Sequence, residues 1–326
     1  MKKIIAFGLV LASMLGLCAC QKNQETAQSA DAATTAPTTE FVLPSGIMQK
    51  YDPTEDDTFN LLLVGSSGSY YYVEELWGML EAAGIKARVC NIYYSGCLLS
   101  QHYNWWKAGE ANYEFFTTDE NGRSKEENVT LEYCMRQRNW DAICLAESGT
   151  GKLRVGDAQT LLKERETYLT ELYGYFRQEF PLSDMLWQEN GAYEKGYNVA
   201  FTIETTQQQA EDTRHFREFA IAIAEKYQVA WVPRGEASQI YRETPGVEDN
   251  LTARLGVNND KGDKYHDGDI GGGQYLTACA WFEVLTGQSC IGNTWRPNYT
   301  LAEDKIQLLQ ECAHQAVENM RTGNFG

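Results

Sequence analysis

Along this chain, short apolar runs alternate with longer segments whose apolar residues recur every three or four positions. Residues 59–64 are apolar apart from Asn60, a strand pattern, and residues 72–83 follow at helical spacing. A second strand is predicted over 86–93 and a third over 142–146, with a helix over 131–137 ahead of the third. A long helix over 159–180, a short strand over 185–188, a helix over 207–227 and a last strand over 229–232 come next. Helices over 273–285 and 301–320 close the chain. Strands and helices alternating at this spacing imply a parallel sheet covered on both faces, a doubly wound three-layer α/β/α domain. One segment breaks the alternation. Residues 113–117 and 125–129 flank Asp119-Glu120-Asn121-Gly122, and Asn-Gly is a strong short-range hairpin signal, so a β-hairpin is inserted before the third strand. There is no internal repeat and no boundary dividing the domain in two.

The start of the chain has a different character. Lys2 and Lys3 precede an apolar run over 4–17 that is too short and weakly flanked for a stable membrane span, so residues 1–19 are expected to be a secretory signal. Leu17-Cys18-Ala19-Cys20 resembles the lipobox of bacterial lipoproteins, which implies that Cys20 carries the lipid and becomes the mature N-terminus. Cys18 fits less well because Leu17, not a small residue, precedes it. The stretch 20–45 is rich in Ala, Thr, Gln, Ser and Pro and buries too little to offset its ordering entropy, so it is expected to be a flexible tether. Residues 46–326 form the folded domain. The expected localisation is export with lipid anchoring to the cell envelope, the membrane being met only through the anchor.

Composition narrows the partners. The formal charge is −17, and losing Lys2 and Lys3 with the signal takes it to −19. That acidity argues against nucleic acid, which needs a basic footprint, and favours neutral glycans or small esters over polyanions. Seven cysteines remain beyond Cys18 and Cys20, mostly in apolar contexts, with no Cys-x-x-Cys pair to suggest zinc. Buried free thiols are expected, with Cys279–Cys290 the pairing to consider if one disulfide forms.

Open α/β sheets bind ligands beyond the carboxyl ends of their strands, which directs attention to Gly65-Ser66-Ser67-Gly68-Ser69 after the first strand. A serine nucleophile needs a base, and the chain has four histidines. His215 and His314 lie within amphipathic helices and suit packing or surface roles. His102 follows the second strand and could face the same rim. His266 is the leading candidate: it sits in Gly262-Asp263-Lys264-Tyr265-His266-Asp267, and one helical turn would bring Asp263 onto its face to hold Nδ1–H. The same loop could equally be a solvated, aspartate-rich turn. It lacks the spacing of a calcium loop, and no metal or cofactor is expected.

Taken together, Leu63-Val64-Gly65-Ser66-Ser67, Asn91-Ile92-Tyr93-Tyr94-Ser95-Gly96-Cys97, Trp140-Asp141-Ala142-Ile143, Asp263-Lys264-Tyr265-His266 and Trp281-Phe282-Glu283-Val284-Leu285 resemble, in order, the SGNH (GDSL-type) hydrolase superfamily. They are most similar to an uncharacterised branch of bacterial cell-surface proteins. The resemblance implies a flavodoxin-like fold with a five-stranded parallel sheet. It also implies Ser67 as nucleophile, His266 as base, Asp263 as its orienting carboxylate and Gly96 as an oxyanion N–H donor. Two positions depart from the superfamily pattern. Ser66 stands where Asp or Asn is usual, and Ala146-Glu147-Ser148-Gly149 replaces the block whose asparagine completes the oxyanion hole, leaving Glu147 and Ser148 at that rim. The implied function is a serine esterase, with an acylated glycan or small ester as substrate. The alternatives are a non-catalytic glycan-binding lipoprotein on the same fold, and a phosphate or flavin site for which neither nucleotide-binding glycine motif is present.

Overall fold

The computed structural model of the chain describes residues 58–148, 153, 154, 156–256 and 264–325. The signal and tether expected over 1–45, Cys20 included, and Asp263 lie outside these residues.

The sheet is built around β1 (Phe59–Gly65), which is buried along its whole length. A strand this apolar needs cover on both faces and both edges. It has a parallel neighbour on each side, β2 (Ala87–Tyr93) and β5 (Ala142–Leu145), and β6 (Asp184–Gln188) and β7 (Ala230–Val232) continue the sheet beyond β5. The expected hairpin is β3 (Tyr113–Asp119) and β4 (Gly122–Val129). It joins the main sheet: β3 pairs antiparallel with β2, which gives seven strands in the order β4-β3-β2-β1-β5-β6-β7. The five parallel strands are those read from the sequence, and the hairpin adds two at one edge. Gly122 turns the hairpin with φ +93°, a conformation that favours glycine. The outermost strand, β4, is largely exposed and carries Lys125, Glu126 and Glu127, charges that discourage pairing with another chain.

Helices cover both faces. On one, α1 (Val73–Ala82), α7 (Gly273–Thr286) and α8 (Glu303–Thr322) pack together. On the other, α4 (Ala158–Glu179) packs against α2 (Leu99–Ala108) and α5 (Thr206–Tyr227). The short α3 (Leu131–Met135) packs on α2, and α6 (Arg234–Glu243) contacts α5, α7 and α8. All seven cysteines of the described domain are buried and unbonded, Cys279 and Cys290 among them. No helix among the described residues is long and apolar enough to cross a membrane.

Candidate functional site

The chain runs from β1 to β2 on one side and then returns past β1 to lay down β5, β6 and β7 on the other. The switch point therefore lies between β1 and β5, where such sheets open a crevice at their carboxyl ends. Val64 lies opposite Leu145 and Gly65 opposite Tyr93, so the segments after β1, β2 and β5 leave the sheet together.

The segment after β1 makes one 3-10 turn over Ser67–Ser69. The backbone oxygen of Ser66 accepts hydrogen bonds from the Ser69 amide and hydroxyl, each at 3.0 Å. Asn91, a polar residue inside buried β2, donates to the Ser69 oxygen at 2.9 Å and to its hydroxyl at 3.1 Å. Ser69 thus folds inward. A Cβ on Gly65 would lie 2.6 Å from Ser69 Oγ, so this close approach requires glycine there. Ser66 is buried as well, and of the three serines only Ser67 is partly open to solvent.

Gln188, the last residue of β6, fixes the other side of the turn. Its Nε2 donates to the Gly68 oxygen at 2.9 Å, and its Oε1 accepts from Trp281 Nε1 at 3.1 Å and from the Tyr72 hydroxyl. Burial pushes the Tyr72 phenol well above its usual range, so it remains a donor.

His266 is half-buried and faces the same segment: its ring lies 4.7 Å from that of Tyr71 and 4.2 Å from that of Tyr265, centroid to centroid. The guanidinium of Arg254 covers Tyr71 at 4.1 Å. The neighbouring Asp267 is no solvated turn residue. It accepts two hydrogen bonds from Arg234 at 3.0 and 2.8 Å and one from Thr277 at 2.8 Å, all buried. These bonds tie the His266 loop to α6 and α7, and a bidentate arginine holds such a loop in orientation as well as in place.

Gly96 is exposed after β2 with φ +68°, and Ser148, after β5, donates its amide to the Cys97 oxygen at 3.1 Å, so these two segments meet. The Glu147 side chain is buried and bonded to Arg165 of α4 at 2.5 Å, while its backbone oxygen accepts from Asn190 at 3.0 Å. The carboxylate that the sequence sets at the rim is thus neutralised from the helix layer. His102 departs from expectation. It is completely buried in α2, with Nδ1 3.0 Å from the Tyr113 hydroxyl, and it does not face the rim. Burial pushes its pKa down to about 3 and keeps it neutral. His314 pairs with the buried Glu283 at 3.1 Å, a helix-packing role.

Sequence reading gave Asn91 no structural role of its own and missed Gln188 and the Arg234–Asp267 pair. Asn91 and Gln188 had a signal, since a polar residue in a buried strand must find partners.

These features define an open, doubly wound α/β protein with a serine-bearing turn at its switch point. The chain belongs to the family described as domain of unknown function DUF4886, whose model matches residues 60–316. A DUF4886 family protein from Bacteroides uniformis shares the fold, with a TM-score of 0.69 at 22% identity, covering 81% of this chain and 96% of its own. A protein from Parabacteroides merdae assigned as a GDSL-like lipase is similar at TM-score 0.43 and 17% identity, over 70% of this chain and 95% of its own. Phospholipase A1 from Streptomyces albidoflavus is similar at 0.40 and 13%, over 70% and 98%. No curated protein matches this chain.

Proposed function

We propose that this protein is a serine esterase that removes acyl groups from small esters or glycans. The observation that carries this reading is the shared rim. Ser67 is the partly open serine of a turn fixed on both sides by buried amides, and Tyr71 of the same segment lies against His266. In this mechanism Ser67 Oγ attacks the ester carbonyl as His266 takes its proton. The tetrahedral oxyanion is met by backbone N–H groups near Ser67 and Gly96, each worth about 3–4 kcal/mol in comparable sites. His266 returns the proton to the leaving alcohol, and water releases the acyl group by the same steps in reverse. Asp263 is assigned to orient His266 by the sequence motif alone. The pairing of Glu147 with Arg165 supports the reading, because it leaves no free carboxylate charge from that residue to repel the oxyanion.

The test is turnover of p-nitrophenyl acetate and butyrate by residues 46–326 beside Ser67→Ala and His266→Ala. The expected result is turnover by the wild type and a loss of at least about two orders of magnitude in each variant, the range general-base catalysis supplies. Equal rates for all three proteins would sink the esterase reading and favour a glycan-binding role.

We further propose that the protein is exported and held at the cell envelope by lipid on Cys20, a reading that rests on the Leu17-Cys18-Ala19-Cys20 motif. Labelled palmitate supplied to expressing cells should enter the wild type and not Cys20→Ser. Equal labelling of the two would exclude this anchor.

A further inference from the structure

A cleft of about 360 Å³ opens between α1, the tip of the β3–β4 hairpin and the segment 295–298, and the esterase mechanism does not use it. Its volume falls at the small end of the range for small-molecule sites, about 300–1,000 Å³. Two indoles wall it: Trp77 and Trp295 meet edge to face, with ring centroids 6.5 Å apart. Trp295 lies so close on α1 that a Cβ at Gly78 would come within 2.3 Å of its ring. The wall is also fixed from below. Trp77 donates to the Ala87 oxygen at 3.1 Å, and Asn293 donates to the Met79 oxygen and accepts from the Trp295 amide.

The cleft's polar groups have unused hydrogen-bonding capacity. Thr118 and Glu75 are 2% and 6% exposed; Thr118 Oγ1 has no hydrogen-bond partner, and the Glu75 carboxyl is met by the Tyr299 hydroxyl. Arg123 Nε and Trp295 Nε1, two donors, are also buried without partners. Leaving such a group unpaired is costly, so a ligand that pairs them gains what the free protein lacks. The chemistry of the set selects the ligand. Glu74, Glu75, Asp119 and Glu120 repel an anion, while Arg123 is already paired with Glu74 at 3.4 Å and Arg296 with Glu303. A simple ammonium or guanidinium brings no acceptors and would leave Arg123 Nε–H and Trp295 Nε1–H unmet. A neutral polyol donates and accepts at once, and a pyranose adds an apolar C–H face for an indole.

We propose that this cleft binds one neutral pyranose unit of a glycan. Arg123 links it to the catalytic segment, lying over the Tyr70 ring at 4.0 Å and donating to the Tyr70 oxygen at 3.4 Å. The binding site itself rests on the cleft residues and not on the esterase reading.

The experiment is a titration of the full-length protein, in a detergent without a sugar headgroup and carrying Ser67→Ala, with glucose, galactose, mannose, N-acetylglucosamine and N-acetylgalactosamine. Binding is read by saturation-transfer NMR and calorimetry. At least one sugar is expected to saturate the protein with millimolar affinity, and Trp77→Phe and Glu75→Gln should each weaken it at least five-fold while giving a folded circular dichroism spectrum. If no sugar binds, or if both variants bind as tightly as the parent, the proposal is overturned. Because Ser67 is already absent, neither result depends on whether the protein hydrolyses esters.

Discussion

A single amide, that of Gln188, links the Ser67 turn to the helix layer. One end grips the Gly68 oxygen, and the other collects the Trp281 and Tyr72 donors. Gln188→Leu keeps the size and removes all three bonds. It should lower stability by about 3 kcal/mol or more, since each of the three partners left unmet costs about 1–3. Its effect on ester turnover should fall on kcat more than on KM, because Gln188 positions the turn and does not touch substrate. A urea titration and steady-state kinetics read both, and a variant with unchanged kcat would remove Gln188 from the positioning role. The ion pair of Glu147 and Arg165 has a similar lesson. From sequence, Glu147 is a carboxylate where an amide is expected, and only the approach of Arg165 from α4 shows how its charge is balanced.

Among elements, the helices that escaped sequence reading are α2 and α6. Both bury polar residues where apolar ones would signal a helix. In α6, Arg234, Glu236, Ser238, Gln239 and Arg242 are all buried, with Asp267, Arg217 and Asp249 pairing the three charged ones. Hydrophobic periodicity cannot register a face made of paired charges. In α2, the neutral His102 occupies a core position. The glycine-rich entry to α7 was legible as a loop, but its tightness was not. A Cβ on Gly271 would lie 2.1 Å from the Asn250 oxygen and 2.8 Å from the Ala253 amide, both backbone atoms. Gly271→Ala should therefore destabilise by about 1–3 kcal/mol, the usual cost of overpacking. Gly174, exposed within α4 with open space around it, should behave oppositely. Gly174→Ala is expected to stabilise by about 0.5–1 kcal/mol through helix propensity and unfolded-state entropy. Chemical denaturation of the two variants checks both signs, and a neutral Gly271→Ala would contradict the packing argument.

For the whole molecule, buried ionisable groups make stability depend on pH in an unusual direction. Burial, reinforced by the nearby Glu236, raises the Glu189 carboxyl to about 8, and burial raises that of Glu75 to about 7. A carboxyl whose folded pKa is raised contributes stability that is complete below its unfolded value near 4.5 and is lost as pH climbs through the folded value. His102, held at about 3 by burial, works in the other direction: its contribution is complete above about 6.5 and declines as pH falls toward 3. From these three groups stability should therefore peak near about pH 4.5, where two carboxyls begin to outweigh one histidine, and decline toward pH 8. Glu189→Gln retains an acceptor for the Glu236 amide and should flatten the alkaline decline. Melting temperatures from pH 4 to 9 test this, and a steady rise from pH 5 to 8 in the wild type would refute it.

By itself, the sequence determined the parallel α/β core, the hairpin and the glycine-rich turn after the first strand. Those features come from local periodicity and turn residues, which act between neighbours along the chain. Tertiary structure decided that the hairpin extends the main sheet, that Ser67 is the serine left partly open, and that His102 belongs to the core. It also decided the pairing of Glu147 with Arg165 and the meeting of Trp77, Trp295 and Thr118 in one cleft. Each of these depends on contacts between residues far apart in the chain, set by strand order and helix packing, and no local pattern encodes which distant partner a polar side chain will find.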